Sequence, residues 1–235
     1  MFGKHTVPFV LEFEGAVVSV QPENGHLIYR RQGESGVLEK NLLHHGKPIH
    51  ILPVEPVNLP KNITPFLMIE FDRPIFLGSK IEETVYVSFP YEIGVFISAR
   101  KPYEVIDIFS LATQKYTLYG EPKSGLVCRY WKSAVFSKEP ELFPLREGII
   151  HLTIKNTTAD WVEIRKVVLN AFGMKIYYDK KRVVQSAHMK IVGPRSAETD
   201  LLVSPFSRAM NKSIELFSLR KQIISTTHVM MRDGI

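Results

Sequence analysis

Three histidines form the densest group of metal-binding side chains in the sequence: His44, His45 and His50, in the run His-His-Gly-Lys-Pro-Ile-His. Imidazole nitrogens are common ligands of zinc and other divalent metals, so this group is one candidate site for a metal-dependent enzyme. No zincin or paired-cysteine spacing accompanies it, and adjacent histidines in a strand would point to opposite faces. A polar loop is the alternative interpretation, and we favour it.

A basic and aromatic run lies at residues 129–132 and has the sequence Arg-Tyr-Trp-Lys. On a strand, Arg129 and Trp131 share one face, where the indole can stack against a sugar ring or a base. These two residues are therefore candidate ligand-binding residues. In the alternative interpretation, which we favour, Trp131 fills the core and Arg129 or Lys132 covers its edge.

The positive charge of the chain is concentrated in its last third. Residues 1–160 carry 17 Lys and Arg against 18 Asp and Glu, whereas residues 161–235 carry 13 against 6. Four of these cations, at Lys175, Lys180, Lys181 and Arg182, surround the tip of a predicted hairpin. They predict contact with an acidic protein or an anionic membrane surface. Nucleic acid is a less favoured partner because no recognised nucleic-acid module accompanies the charge, and a merely solvated basic face is the alternative.

No catalytic motif is assembled in the sequence, and no catalytic residue or cofactor is predicted. Gly120 and Gly125 have the spacing of a phosphate-binding loop, but Leu126 and Val127 follow where a Lys and a Ser or Thr are needed. No nucleophile elbow is present either. We therefore expect a binding protein rather than an enzyme.

Strands must position these candidate residues, because apolar residues recur at every second position. Ile150, Leu152 and Ile154 share one face of a predicted strand, and the residues between them are polar. Short segments of this kind, separated by turn residues, predict an all-β fold of antiparallel β-sandwich units, jelly-roll or immunoglobulin-like, with few or no helices. We also expect Trp161, Val162 and Ile164 to lie in one strand, with Ile164 in the core.

Two regions interrupt the strand pattern. The five prolines between residues 48 and 65 predict a connector or an edge strand. A second break at residues 137–148 is the predicted boundary between an N-terminal β domain, residues 1–147, and a basic C-terminal β-sandwich domain, residues 148–235. A single continuous β domain is the alternative.

The cysteine content and hydropathy indicate a cytoplasmic protein. Cys128 is the only cysteine, so no disulfide can form within the chain. The first residues contain no signal-peptide core, and no apolar run approaches the roughly 20 residues that span a bilayer.

Several stretches of the chain resemble an archaeal family of uncharacterised proteins, a domain of unknown function. They are Pro-Val-Glu-Pro-Val-Asn-Leu-Pro at 53–60, running into Phe-Leu-Met-Ile-Glu-Phe at 66–71; Thr-Leu-Tyr-Gly at 117–120, followed by Gly-Leu-Val-Cys-Arg-Tyr at 125–130; and the basic end at 227–234. The similarity extends over most of the chain and implies no catalytic role for any residue. Members can occur in association with small mechanosensitive channels, so the resemblance implies an accessory role at the inner face of a membrane.

Three functions are therefore compatible with the sequence. The leading hypothesis is a non-enzymatic β-sandwich interaction module whose basic C-terminal third faces an acidic partner or a membrane surface. The second is a small-molecule or carbohydrate-binding β protein built around Trp131 or Trp161, for which we expect an aromatic-lined groove. The third is a metal-dependent enzyme that uses the three histidines.

Overall fold

The structure of the chain, a computed structural model, describes residues 1–34, 36–43, 47–59, 63–98, 103–142, 145–203, 205, 207, 209–216 and 228–235. In chain order, its strands in the first half are β1 (Gly3–His5), β2 (Phe9–Phe13), β3 (Ala16–Glu23), β4 (His26–Gly33), β5 (Gly36–Leu42), β6 (Ile49–Val54), β7 (Phe66–Leu77), β8 (Glu82–Pro90), β9 (Glu92–Ile97), β10 (Glu104–Phe109) and β11 (Lys115–Tyr119). The strands that follow are β12 (Leu126–Ser133), β13 (Val135–Phe136), β14 (Glu147–Asn156), β15 (Val162–Asn170), β16 (Tyr177–Tyr178), β17 (Val183–Gly193), β18 (Ser196–Leu202), β19 (Asn211–Lys212) and β20 (Val229–Met231).

The all-β prediction is confirmed, since the helical structure among the described residues is one 3₁₀ turn, Ala171–Gly173. The strands form four sheets. Their orders are β2-β3-β4-β5, β1-β6-β9-β10, β11-β12-β7-β15 and β13-β8-β14-β17-β16-β19. The last sheet also contains β18, which pairs with β17, and β20, which pairs with β18.

The first sheet is a meander whose turns follow from local sequence. Asn24 and Gly25 join β3 to β4, and both have positive φ values, of 49° and 84°. That backbone matches the twist of a two-residue hairpin, and Asn-Gly is the pair that tolerates it best. The meander packs through Tyr29, whose hydroxyl donates to Asp107 of β10 at 2.7 Å.

Most neighbouring strands pair antiparallel, as predicted, but two pairs are parallel. β12 runs parallel to β7, and β14 runs parallel to β17. Parallel neighbours need a long crossover connection, and in each case other strands of the chain intervene between the two partners. Local alternation cannot distinguish the two directions, because both bury the same face of a strand.

The predicted domain boundary is crossed by two sheets. β7 pairs with β15, and the whole of β8 pairs with β14, from Glu147 to Lys155. One cluster of buried apolar residues extends from Phe13 to Ile235. These pairings and this cluster join residues from both sides of the predicted boundary.

The prediction for the proline-rich stretch is wrong in part, because β6 is an inner strand between β1 and β9. β1 covers only Ile49–Ile51 of β6, so Pro53 lies beyond that pairing. Pro53 pairs with Ile93 of β9 on the other side. The missing N–H of the proline therefore costs no ladder hydrogen bond to β1.

The predicted core positions are confirmed. Ile150, Leu152, Ile154 and Ile164 are all buried. Val162 and Ile164 lie in β15, but Trp161 immediately precedes that strand and is exposed.

Candidate functional site

A depression of about 260 Å³ lies where β12 meets the β10–β11 connection. Tyr130 and Trp131 of β12 line it together with Lys115 of β11 and with Arg146. The two aromatic residues are half-buried and pack against the core. The indole N–H of Trp131 donates to the Ser88 hydroxyl at 2.9 Å, which fixes the ring. Trp131 therefore lines a surface depression and also fills the edge of the core.

Three cations, Lys115, Lys132 and Arg146, line this depression together with one carboxylate, Glu147. Lys132 pairs with Asp72 at 3.5 Å, and Arg146 contacts Glu14 at 3.7 Å. Both are solvated contacts, which contribute little to stability. The Nε atom of Arg146 is buried and has no hydrogen-bond partner among the described residues. The rest of the Arg146 side chain is partly exposed, so the guanidinium is accessible from the depression through its other nitrogens.

A larger depression of about 690 Å³ adjoins the first and shares with it Arg146 and the 111–113 segment. Arg31 contributes to its wall and is fixed there by Asp107, whose Oδ2 accepts from the Arg31 Nε at 2.6 Å. The Arg31 guanidinium also lies over the Phe109 ring, 5.3 Å from its centroid. Gln114 supplies a further polar group. We call the two depressions together the Arg146 groove.

Arg129, the other predicted binding residue of this run, does not line either depression. It points into the protein and is fully buried, with its guanidinium 5.6 Å from the Tyr116 ring centroid. None of its side-chain nitrogens has a hydrogen-bond partner among the described residues. Burial lowers the pKa of Arg129, and the neighbouring Tyr116 and Glu92 oppose that shift.

The sequence did not indicate two buried carboxylates: Glu92, whose charge acts on Arg129, and Glu55, which is close enough to Glu92 for their charges to interact. Glu92 accepts hydrogen bonds from the backbone N–H groups of Asn58 and Leu59, at 3.2 and 3.3 Å. Burial raises the pKa of Glu92 to about 7, against these hydrogen bonds and the charge of Arg129. Burial also raises the pKa of Glu55 to about 8, and neither of its carboxylate oxygens has a hydrogen-bond partner among the described residues.

This buried charged cluster joins the two sequence stretches that carry the family resemblance. Glu55 and Asn58 lie in the stretch that begins at Pro53, and Arg129 lies in the stretch that begins at Gly125. The cluster supports the groove from beneath through Leu59, which lines the larger depression and accepts the Tyr116 hydroxyl.

The predicted basic hairpin is present, with β16 and β17 as its strands and residues 179–182 as its tip. Arg182 is already paired within the chain, to Glu139 at 2.5 Å and to Asp179 at 3.1 Å. Lys180 and Lys181 are exposed, and Lys175 is half-buried before β16. The acidic segment that follows β13 therefore neutralises part of the basic surface.

The predicted histidine cluster lies largely outside the described residues, which include His50 but not His44 or His45. The His50 ring contacts Tyr103 edge-on, with centroids 5.3 Å apart. Burial lowers the pKa of His50, and the charges of Lys4 and His5 lower it further. Within the described part of the chain, no three His, Cys, Asp or Glu residues are grouped to hold a metal ion.

The fold and the groove define an all-β protein with a surface cleft lined by cations, carboxylates and aromatic side chains. A family model described as "Protein of unknown function (DUF432)" matches residues 1–232, so the chain belongs to that family. Searches of curated proteins and of solved structures found no significant match. In the part of the chain that the structure describes, no helix is long and apolar enough to cross a membrane.

Proposed function

We propose that this chain is a binding protein whose ligand is a small anionic molecule with a ring, held in the Arg146 groove. The observation that carries this proposal is the placement of Lys115, Lys132 and Arg146 around the half-buried aromatic side chains of Tyr130 and Trp131. Cations supply charge-assisted hydrogen bonds to a phosphate or carboxylate. An aromatic wall adds contact area for a ring.

The groove has the size and preorganisation of a ligand site. Its larger part measures about 690 Å³, within the range of small-molecule pockets, and its smaller part, at about 260 Å³, extends it. Arg31 is held by Asp107, and Trp131 is held by Ser88. Because these side chains are already fixed, a ligand would lose little binding free energy to ordering them.

The proposal is tested by thermal unfolding with a panel of inorganic phosphate, a sugar phosphate, a nucleoside monophosphate and a dicarboxylate. A bound ligand raises the midpoint temperature with its concentration, because it binds the folded state alone. The chain has two tryptophans, so a Trp161→Phe background makes fluorescence a report on Trp131 alone. We expect at least one compound to give both signals.

The variants are Lys115→Glu and Arg146→Gln, and the matched control is Lys123→Glu in the exposed β11–β12 turn. Loss of the ligand-dependent shift in the first two, with the control unchanged, supports the proposal. It is wrong if no compound shifts the midpoint or if the groove variants respond as the wild type does.

A second candidate function is contact with an acidic protein or an anionic membrane surface through the hairpin tip. It is favoured by Lys180 and Lys181, which are exposed at the tip. Co-sedimentation with anionic liposomes at low and physiological salt tests it, with a Lys180→Glu/Lys181→Glu variant as control. A gel shift with nucleic acid tests the less favoured partner. Equal binding by the variant and the wild type, or no binding by either, would leave the tip only a solvated face.

A further inference from the structure

Two large aromatic side chains, Phe76 and Trp161, are exposed to solvent and do not line the Arg146 groove. Phe76 is 62% exposed and Trp161 is 67% exposed, which is unusual for side chains this large. Their rings are stacked, with centroids 6.1 Å apart and an interplanar angle of 30°. Ile81, which is 46% exposed, adds apolar surface beside them. We call these three side chains the Trp161 face.

The turns that carry this face are held by a buried amide, that of Asn156. Its Nδ2 donates to the carbonyl of Gly78 at 2.9 Å and to that of Asp160 at 2.8 Å. Its Oδ1 accepts from the backbone N–H of Thr158 at 2.9 Å and from the Thr158 hydroxyl at 2.8 Å. The 78–81 and 157–161 turns are thereby locked to each other, so the aromatic rings stand on a rigid base.

A second set of bonds fastens the same two turns. The Ser79 hydroxyl donates to the Thr158 carbonyl at 3.0 Å, and the Lys80 ammonium donates to the Thr157 carbonyl at 2.5 Å. Thr157 is tied in turn to the Ile191 carbonyl through its hydroxyl at 2.6 Å. Exposed loop tips are commonly mobile, and this one is cross-linked instead. A rigid exposed aromatic pair is the arrangement that binds a partner with little loss of entropy.

Polar groups continue the same face of the sheet. Glu163 lies directly opposite Phe76 in the pairing of β15 with β7. The Glu163 carboxylate accepts from the Arg165 Nε at 2.6 Å. The β15 register shifts between Ile164 and Lys166, so it is this contact, not strand alternation, that places Arg165 beside Glu163. The aromatic pair is therefore followed by an acceptor and a donor on the same surface.

We propose that the Trp161 face binds a neutral glycan, whose sugar rings stack on the indole and phenyl rings while its hydroxyl groups bond to Glu163 and Arg165. A sugar ring has an apolar face, formed by its C–H groups, that suits an exposed aromatic ring. A hydroxyl both donates and accepts, so it matches a surface that offers a carboxylate beside a guanidinium.

The local charge favours a neutral ligand over a polyanion. The charged side chains on and beside these turns are Lys80, Lys155, Arg165, Glu82, Glu83, Asp160 and Glu163. Carboxylates outnumber cations in this set, and Lys155 is paired with Glu82 at 3.0 Å. Nucleic acid and anionic membranes require a net positive surface. The basic residues that distinguish the last third of the chain are thus not what surrounds Trp161.

The test is affinity electrophoresis of the whole chain through native gels that contain a soluble β-glucan, a galactomannan, a xylan or dextran. We expect at least one polysaccharide to retard the wild type. Trp161→Ala should weaken that retardation about tenfold, as the loss of an aromatic contact and its apolar area implies. Phe76→Ala should weaken it by a smaller factor.

The matched control is Val37→Ala, which removes an exposed apolar side chain from β5 in the first sheet. Trp161 and Phe76 are exposed, so these variants are expected to keep the wild-type circular dichroism and unfolding midpoint. The proposal is wrong if no polysaccharide retards the wild type, if Trp161→Ala migrates as the wild type does, or if Val37→Ala has the same effect. Trp161-dependent sedimentation with neutral liposomes, without retardation in any gel, would also overturn it.

Discussion

Buried polar side chains in two regions of this protein differ in their hydrogen bonding. The Asn156 side chain is inaccessible to solvent, and both its amide nitrogen and its oxygen are hydrogen-bonded. The Arg129 and Glu55 side chains are equally inaccessible, yet their nitrogens and oxygens make no hydrogen bond of normal length among the described residues. Weaker contacts, of Arg129 with Tyr116 and of Glu55 with its own backbone and that of Leu216, oppose their pKa shifts only in part. The Asn156 amide is neutral, whereas Arg129 and Glu55 carry charged or titratable groups.

The difference shows what each region contributes. A satisfied neutral amide fixes the geometry of the turns around it at little electrostatic cost. A buried carboxyl or guanidinium without direct partners loses its hydration, and that loss appears as a shifted pKa instead of as a rigid bond. The Asn156 end of the molecule is therefore expected to be stable across pH. The region around Glu55, Glu92 and Arg129 is expected to lose stability as its carboxyls ionise.

The largest effect is expected for Asn156→Ala. This change leaves the carbonyls of Gly78 and Asp160 and the N–H of Thr158 without their buried partner. Each unsatisfied group costs about 1–3 kcal/mol, so the free energy of unfolding should fall by about 3–5 kcal/mol. Urea unfolding measures this. A loss below about 1 kcal/mol would show that the amide does not organise these turns.

A buried apolar residue of the same strand provides a comparison for the loss of stability expected of Asn156→Ala. Ile154 precedes Asn156 in β14 and is buried. Ile154→Ala should lower the free energy of unfolding by about 2–5 kcal/mol, through lost burial and a residual cavity. Urea unfolding of this variant beside Asn156→Ala compares the two contributions. A change well below about 2 kcal/mol would mean that this face of β14 is not packed as described.

The pH dependence of stability tests the other half of the comparison. The pKa values of Glu55 and Glu92 are raised to about 8 and about 7 in the folded chain. A glutamate in the unfolded chain has a pKa of about 4.3, so between that value and about pH 8 the folded state holds protons that the unfolded state releases. The free energy of unfolding should therefore be highest below about pH 4.3 for these groups and fall as pH rises. The slope is at most about 1.4 kcal/mol per pH unit for each carboxyl.

Glu55→Gln separates this effect from other titrations. Glutamine keeps the shape of the protonated carboxyl and cannot ionise, so the variant should lose less stability than the wild type between about pH 5 and about pH 8. Unfolding by urea at several pH values measures both slopes. The exposed Glu121→Gln, in the β11–β12 turn, is the matched control and should keep the wild-type slope. Parallel curves for Glu55→Gln and the wild type would mean that Glu55 is ionised in the folded protein.

The alternation of side chains explains how much of this fold could be predicted. Ile150, Leu152 and Ile154 were recognised as core because a strand places every second residue on one face. The pairing of β7 with β12 and β15 could not be read in the same way, because it joins segments that are distant in the chain and leaves no local periodicity. Strand content was therefore predictable, whereas strand order was not.

The prediction of individual site residues was limited in the same way, because it too rested on local sequence patterns. Trp131 was identified because an aromatic residue between two cations is a local pattern. Arg129 was predicted to bind a ligand with Trp131 or, in the favoured alternative, to share with Lys132 the role of covering its edge. Its burial depends on Glu92 and Tyr116, which reach it from β9 and β11 and have no sequence relation to it. The spacing of residues could not reveal that cluster.

The smallest effect is expected where opposite charges meet at the surface. Arg182 forms direct ion pairs with Glu139 and Asp179, whereas Arg129 has no such pair. Arg182 is partly solvated, so water screens its pairs and competes with them. Arg182→Gln should therefore lower the free energy of unfolding by no more than about 1 kcal/mol, and added salt should reduce the difference further. Urea unfolding at low and high salt measures both quantities. A loss of several kcal/mol that persists in high salt would show that Arg182 anchors the acidic segment. Its ion pairs would then contribute to stability as buried polar interactions do.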